Sequence, residues 1–293
     1  MSNRKSHSLI FLGLLLMATG FHVKAQEAAQ NRNAEYYLVG IGPGDADLMT
    51  LRAVKTIQSA DVIFCNPGVA ARVSDFIKDK TVHLNHWGRV PFYGLTIDRV
   101  NTHDRSEFER IVPLRDAFIA RVREYAQQGK RIVVLDSGDP MIYGPYTWTL
   151  EEFADLNPVV VAGLSSFNVA NAALGKSVTN SRLTKSVTLT ATDKFGRTDP
   201  IEKLAQVQNS MVVFTMRDEF ESFVNALLKS YPDQTPMAIV RHAGVKDKET
   251  VIRTELGKAL EAVKSDDLRF EYLIYIGEFL NFTYERSAEP VKP

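Results

Sequence analysis

Cysteine is almost missing from this chain: one residue, Cys65, excludes an intramolecular disulfide and leaves no thiolate set to hold a metal. An excess of either charge is missing too. The 35 Lys and Arg balance 35 Asp and Glu, so no net field favours nucleic acid or an anionic membrane. No internal repeat, no low-complexity tract and no His/Cys/Asp/Glu group with ligand spacing occurs, so no metal is expected. Long apolar runs are scarce. The one that stands out, Leu9–Phe21, is too short for a comfortable membrane span. Arg4 and Lys5 precede it and Val23-Lys24-Ala25 follows, which is the pattern of a secretory signal. Cleavage after Ala25 is expected, then a polar linker over 26–35. In a bacterium the mature chain would be periplasmic, without a stable membrane anchor. An uncleaved anchor is the alternative.

What is present reads as a soluble α/β protein. Of 293 residues, 45% are apolar and 24% charged, enough for one large or two ordinary α/β domains. The stretch Val39–Thr50, VGIGPGDADLMT, stands between a β-rich run, Tyr36–Ile41, and a helical stripe of Leu51, Val54, Ile57 and Ala60. Its glycines therefore sit in a strand-to-helix turn, where nucleotide-like cofactors are often held. Two familiar nucleotide signatures fail. The third glycine comes one residue early for G-x-G-x-x-G, and Cys65-Asn66 stands where a ribose-binding acid belongs. Gly175-Lys176-Ser177 imitates the end of a phosphate loop, but Ala170 occupies its first glycine position.

Two further corners follow the same plan. The strand Lys130–Leu135 runs into Asp136–Gly144, DSGDPMIYG, and the strand Pro158–Val161 into Ala162–Asn168, AGLSSFN. Helices are predicted at Val69–Ile77, Glu107–Gln128 and Thr147–Leu156, and strands at Asp61–Cys65 and Thr81–Leu84. Asn85–Arg105 has neither period and is rich in aromatic and basic residues. It reads either as a substrate-facing loop or as a surface loop with packed aromatics. Strands at Val187–Ala191, Met211–Met216, Pro236–Val240, Glu249–Thr254 and Tyr272–Gly277 make up the second half, with helices at Ile201–Gln208, Glu219–Ser230 and Leu256–Val263.

The pattern GxGPGDxxLxTxxAxxxIxxADVI, from Gly40 to Ile63, resembles the opening of the tetrapyrrole methylase family. Gly138–Gly144 matches its GDPxxYG element. Ala162–Phe167 resembles its PGxSSF element with alanine for proline, and Val251–Leu256 is similar to a strand of its second half. The similarity spans about residues 35–280. It implies two αβα domains, 36–180 and 184–285, with a ligand cleft between them and a tail at 286–293. It implies S-adenosylmethionine (SAM) as cofactor, contacted by Gly42, Pro43, Ser137, Gly138, Asp139, Ile142, Ser165, Ser166, Met216 and Ala243. It also implies methyl transfer to a tetrapyrrole of the porphyrin or corrin type, and a homodimer. Members that methylate uroporphyrinogen carry an aspartate, proposed as a base, where this chain has Asn66. Asparagine cannot accept that proton, which points to another tetrapyrrole. Asn66, Arg89 and Tyr93 are the candidate catalytic side chains. Arg89, Arg99 and Arg105 are either partners for acceptor carboxylates or solvated charges. Two alternatives stand beside this reading: a methyltransferase for a peptide or other small acceptor, and an exported, non-catalytic binding protein for a tetrapyrrole or adenosyl ligand.

Overall fold

Apolar, β-favouring residues at Glu35–Gly40 form the first strand (β1), and the chain turns at once into a capped helix. In the computed structural model, which describes residues 35–85, 92–191, 199–214, 220–263 and 272–284, Thr50 Oγ1 accepts from Ala53 N at 3.1 Å. That bond satisfies one of the open donors of helix α1 (Leu51–Ser59). Strand β2 (Val62–Cys65), helices α2 (Pro67–Arg72) and α3 (Ser74–Ile77), and strand β3 (Thr81–Leu84) follow. The single helix expected over Val69–Ile77 is thus two short ones, because Val73 leaves helical geometry with φ −108° and ψ 19°. Within the segment expected to be irregular, 3-10 turns form at Ile97–Arg99 and Thr102–Asp104, while 86–91 lies outside the described residues. Helix α4 (Arg105–Gln127), strand β4 (Arg131–Asp136), helix α5 (Trp148–Glu152) and strand β5 (Val159–Val161) complete the first unit.

Its five strands are all parallel, in the order β3-β2-β4-β1-β5. Ile111, Phe118 and Val122 of α4 pack on Tyr36, Leu38, Phe64, Ile132 and Val134. On α1, Ala53 and Ile57 are buried and the helix contacts β1 and β4. Burial on both faces explains why IVVL in β4 is continuously apolar and does not alternate.

The second unit begins with helix α6 (Ser166–Leu174) and continues through β6 (Val187–Ala191), α7 (Ile201–Ala205), β7 (Ser210–Phe214) and α8 (Phe220–Leu228). Strands β8 (Pro236–Arg241) and β9 (Thr250–Glu255), helix α9 (Ala259–Ala262) and strand β10 (Tyr272–Ile276) end it. The sheet order is β6-β7-β10-β8-β9. Strands β6 and β7 are parallel, and the other pairs are antiparallel. Phe220, Phe223, Val224 and Leu227 of α8 pack with Met211, Val213, Ile239 and Ile274.

Contacts group residues up to Ile41 with Met49–Gly163, and Gly42–Leu48 with residues from Leu164 on. The division expected at 180–184 therefore falls at Gly163–Leu164. The reason is that α6 packs against β8 and β10, where Tyr275 Oη donates to Phe167 O at 3.3 Å. No helix among the described residues is long and apolar enough to cross a membrane.

Candidate active site

The loops just beyond β2 and β4, at the carboxyl end of the first sheet, carry Asn66, Ser137, Gly138 and Asp139. Beyond β2 the chain departs towards β3 on one side. Beyond β4 it departs towards β5 on the other. Diverging connections at adjacent strands open a crevice at their tips, the usual ligand position in such sheets. The β2–β4 pairing ends at Phe64↔Val134, two residues short of Asn66 and Asp136, and Tyr146 interacts with both of them. Gly40 stands opposite Asp136 on its other side, and Asn85 N donates to Cys65 O at 2.7 Å. The adjacent strands β3, β2, β4 and β1 thus carry Asn85, Asn66, Asp136 and Gly40 at or just beyond their carboxyl ends.

On the β1 side the site is bare backbone. A Cβ on Gly40 would lie 2.6 Å from Gly138 O, 2.7 Å from Gly163 N and 2.7 Å from Pro140 Cδ. Three corners, far apart in the chain, meet there with no room for a side chain. Asp139 Oδ1 accepts from Met141 N at 2.9 Å, which fixes the carboxylate within its turn. Arg72 Nη2 donates to Ser137 Oγ at 2.9 Å. Ser137 is exposed, Gly138 buried, and Asp139 and Ile142 half-buried.

Asn66 has a structural task. Its Oδ1 accepts from Val69 N at 2.8 Å and caps α2, with Pro67 at the first helical position. Tyr93 is drawn into packing: its ring lies 5.0 Å from that of Trp148, and its hydroxyl donates to Glu152 Oε2 at 3.1 Å. Arg99 and Arg105 are exposed. Arg89 and Met216 lie outside the described residues.

Reasoning from sequence missed Asp136 as a site residue. It is 2% exposed, and its Oδ1 accepts from Ser137 N at 2.8 Å. Its Oδ2 is buried without a hydrogen-bond partner among the described residues. Burial pushes this carboxyl up to about 7, against the opposing pull of the Ser137 N–H and Arg72. Tyr146 faces the same charge and also interacts with Asn85 and Asn66; burial drives its phenol far above the ordinary range. One signal was available, an acid ending an otherwise apolar strand.

The second unit holds the other predicted contacts. Gly42 and Gly44 have φ of 75° and 74°, so the turn at Pro43 needs residues without Cβ. Asp45 N donates to Gly244 O at 2.9 Å, and Lys246 N donates to Asp45 Oδ2 at 3.0 Å. A Cβ on Gly244 would lie 3.2 Å from Pro43 O and 3.0 Å from Val169 Cγ1. Pro43, the loop carrying buried Ala243, and the start of α6 are therefore brought together. Ser165 is buried and caps α6: its Oγ accepts from Phe167 N at 3.2 Å, and Asn168 Oδ1 accepts from Ser165 N at 3.1 Å. Ser166 is half-buried.

These features define an α/β protein with a glycine-lined ligand corner at the tips of a parallel sheet. The family model for Tetrapyrrole (Corrin/Porphyrin) Methylases matches residues 35–260, and the chain belongs to that family. It is 29% identical over 262 residues to the cobalt-precorrin-4 C(11)-methyltransferase of Methanocaldococcus jannaschii, covering 87% of this chain and 91% of that one. It is 26% identical over 257 residues to the uroporphyrinogen-III C-methyltransferase of Bacillus subtilis, covering 85% and 92%. Among solved structures, a uroporphyrin-III C-methyl transferase from Thermus thermophilus complexed with S-adenosylhomocysteine shares the fold. Its TM-score is 0.62 at 20% identity, covering 84% of this chain and 99% of that one.

Proposed function

We propose that this chain is a SAM-dependent methyltransferase whose acceptor is a tetrapyrrole. The observation that carries the reading is the meeting of Gly40, Gly138 and Gly163 at one set of strand tips, in a chain matched to the family over residues 35–260. The residues fit such a donor. Bare backbone permits close approach, and the Asp139 carboxylate offers negative charge to a cation. When bound, SAM supplies an electrophilic methyl carbon on a positive sulfur. Ser137, Gly138, Asp139 and Ile142 would hold it, while Arg72 steadies the loop through Ser137. The contribution of the site is orientation of donor and acceptor, together with removal of a proton where the acceptor carries one.

Calorimetry with SAM and S-adenosylhomocysteine tests the first half. Transfer of labelled methyl to uroporphyrinogen III and to cobalt-precorrin-4 tests the second. Binding of both adenosyl compounds with label in one macrocycle is expected; absence of binding overturns the reading. The binding-protein alternative draws support from Asn66, whose side chain is occupied as a helix cap. Capture of a coloured macrocycle without affinity for S-adenosylhomocysteine would favour it. We also propose export with cleavage after Ala25, supported by Arg4, Lys5 and the apolar run Leu9–Phe21. The mass of the protein secreted from a bacterial host, beginning at Gln26 or at Met1, decides this.

A further inference from the structure

We propose that Asp136 is the carboxylate that accepts the proton lost by the acceptor on methylation, in place of an acid at position 66. The inference rests on the methyl-transfer reading above and assigns the base within it.

Three observations carry it. Asn66 is unsuited twice over: an amide does not take up a proton at neutral pH, and its oxygen already accepts from Val69 N. Asp136 ends β4, the strand paired with β2 at the point where the connections diverge, and Tyr146 interacts with both Asp136 and Asn66. Asp136 also keeps one oxygen uncommitted. A carboxylate oxygen buried without a hydrogen-bond partner among the described residues costs stability, so a use for it is the natural question. The charged and titratable groups around it are Arg72 from α2, Asp139 from its own loop, and Tyr146 from the turn before α5, with Cys65 beyond Tyr146. Arg72 favours the ionised form, whereas burial and Asp139 oppose it. Together they set the carboxyl at about 7, where a base is both available and strong enough to act.

The step balances. A carbon–carbon bond forms between the pyrrole carbon and the methyl group as the sulfur–carbon bond breaks, and that electron pair stays on sulfur, yielding S-adenosylhomocysteine. The ring becomes a pyrrolenine when its N–H proton passes to Asp136 Oδ2. One positive sulfur and one carboxylate are replaced by two neutral groups. The missing acid at 66 then no longer argues against a uroporphyrinogen-type acceptor.

The test uses the full chain and its Asp136→Asn variant, with labelled SAM and uroporphyrinogen III, whose metal-free pyrrole carries the N–H proton in question; a wild type that does not methylate it overturns the assignment. S-adenosylhomocysteine affinity within threefold of wild type is expected, with kcat at least 100-fold lower. For the wild type, kcat/KM should rise with pH through about 7 and then level. Infrared difference spectra should show a protonated carboxyl titrating at the same pH, absent from the variant. A variant that keeps wild-type kcat and the same acid limb overturns the role of Asp136 alone. A wild-type limb that does not track the infrared titration overturns it even where the variant fails to fold. A wild type that binds no S-adenosylhomocysteine overturns this proposal and the methyl-transfer reading together.

Discussion

Gly40→Ala is the substitution on which the description of the corner can be judged most sharply. The new methyl would meet Gly138 O at 2.6 Å, Gly163 N at 2.7 Å and Pro140 Cδ at 2.7 Å. A relaxed contact needs about 3.5 Å, so each neighbour must retreat by nearly 1 Å. Two of the three are backbone, in different loops, and neither can swing away as a side-chain tip would. Overpacking of this kind costs about 1–3 kcal/mol, and the rigid partners place Gly40→Ala near the top of that range. Gly175→Ala is the matched comparison. Gly175 has φ 60° and nothing within 4 Å of its would-be Cβ, so its cost is conformational, about 1 kcal/mol. In urea, with a slope near 3 kcal/mol/M, Gly40→Ala should lower the midpoint by about 1 M, roughly three times the effect of Gly175→Ala. A shift of about 1 Å in binding backbone should also weaken S-adenosylhomocysteine at least tenfold, with Gly175→Ala within threefold of wild type. If the two variants proved equally stable and bound equally well, the three corners would not meet as described.

Three other outcomes follow from particular bonds. Asp136 binds a proton in the folded chain between about pH 4 and 7 that an unfolded aspartate has lost, so stability should fall as pH rises through that window and level above it. Asp136→Asn should remove this slope and gain as much as roughly 4 kcal/mol at pH 8 with nothing gained at pH 4, read from urea midpoints at each pH. Tyr93→Phe keeps the ring on Trp148 and loses the bond to Glu152, costing about 1 kcal/mol. A fall in its kcat beyond tenfold would return Tyr93 to a catalytic part. Ser165→Ala removes the cap of α6 and should cost about 1 kcal/mol. An unchanged urea midpoint would count against that cap.

In its proposed role, Asp136 at the end of β4 would combine a stability cost with a function. A packed, apolar tip there would favour folding, but it could not take a proton. Natural proteins tolerate such a group where turnover needs it, a trade of stability for activity.

Much of this protein was legible along the chain because its determinants are local. Strand, turn and helix follow from periodicity and from the glycines between strand and helix, whereas the capping of helices by Thr50 and Asn66 came only from the structure. The resemblance at Val39–Ile63 and Gly138–Gly144 pointed to the right family for the same reason, since a ligand turn is a short, contiguous piece of chemistry. Strand order is not local. It depends on which crossovers pack on which face, and only the order β3-β2-β4-β1-β5 makes neighbours of β2 and β4, the strands that lead to Asn66 and Asp136. The elevated carboxyl of Asp136 is a property of burial, which no reading of neighbouring letters supplies. Likewise the packing of α6 on β8 and β10, and of residues 42–48 on the loop at Ala243 and Gly244, moved the domain boundary, because contact and not sequence distance decides what folds with what.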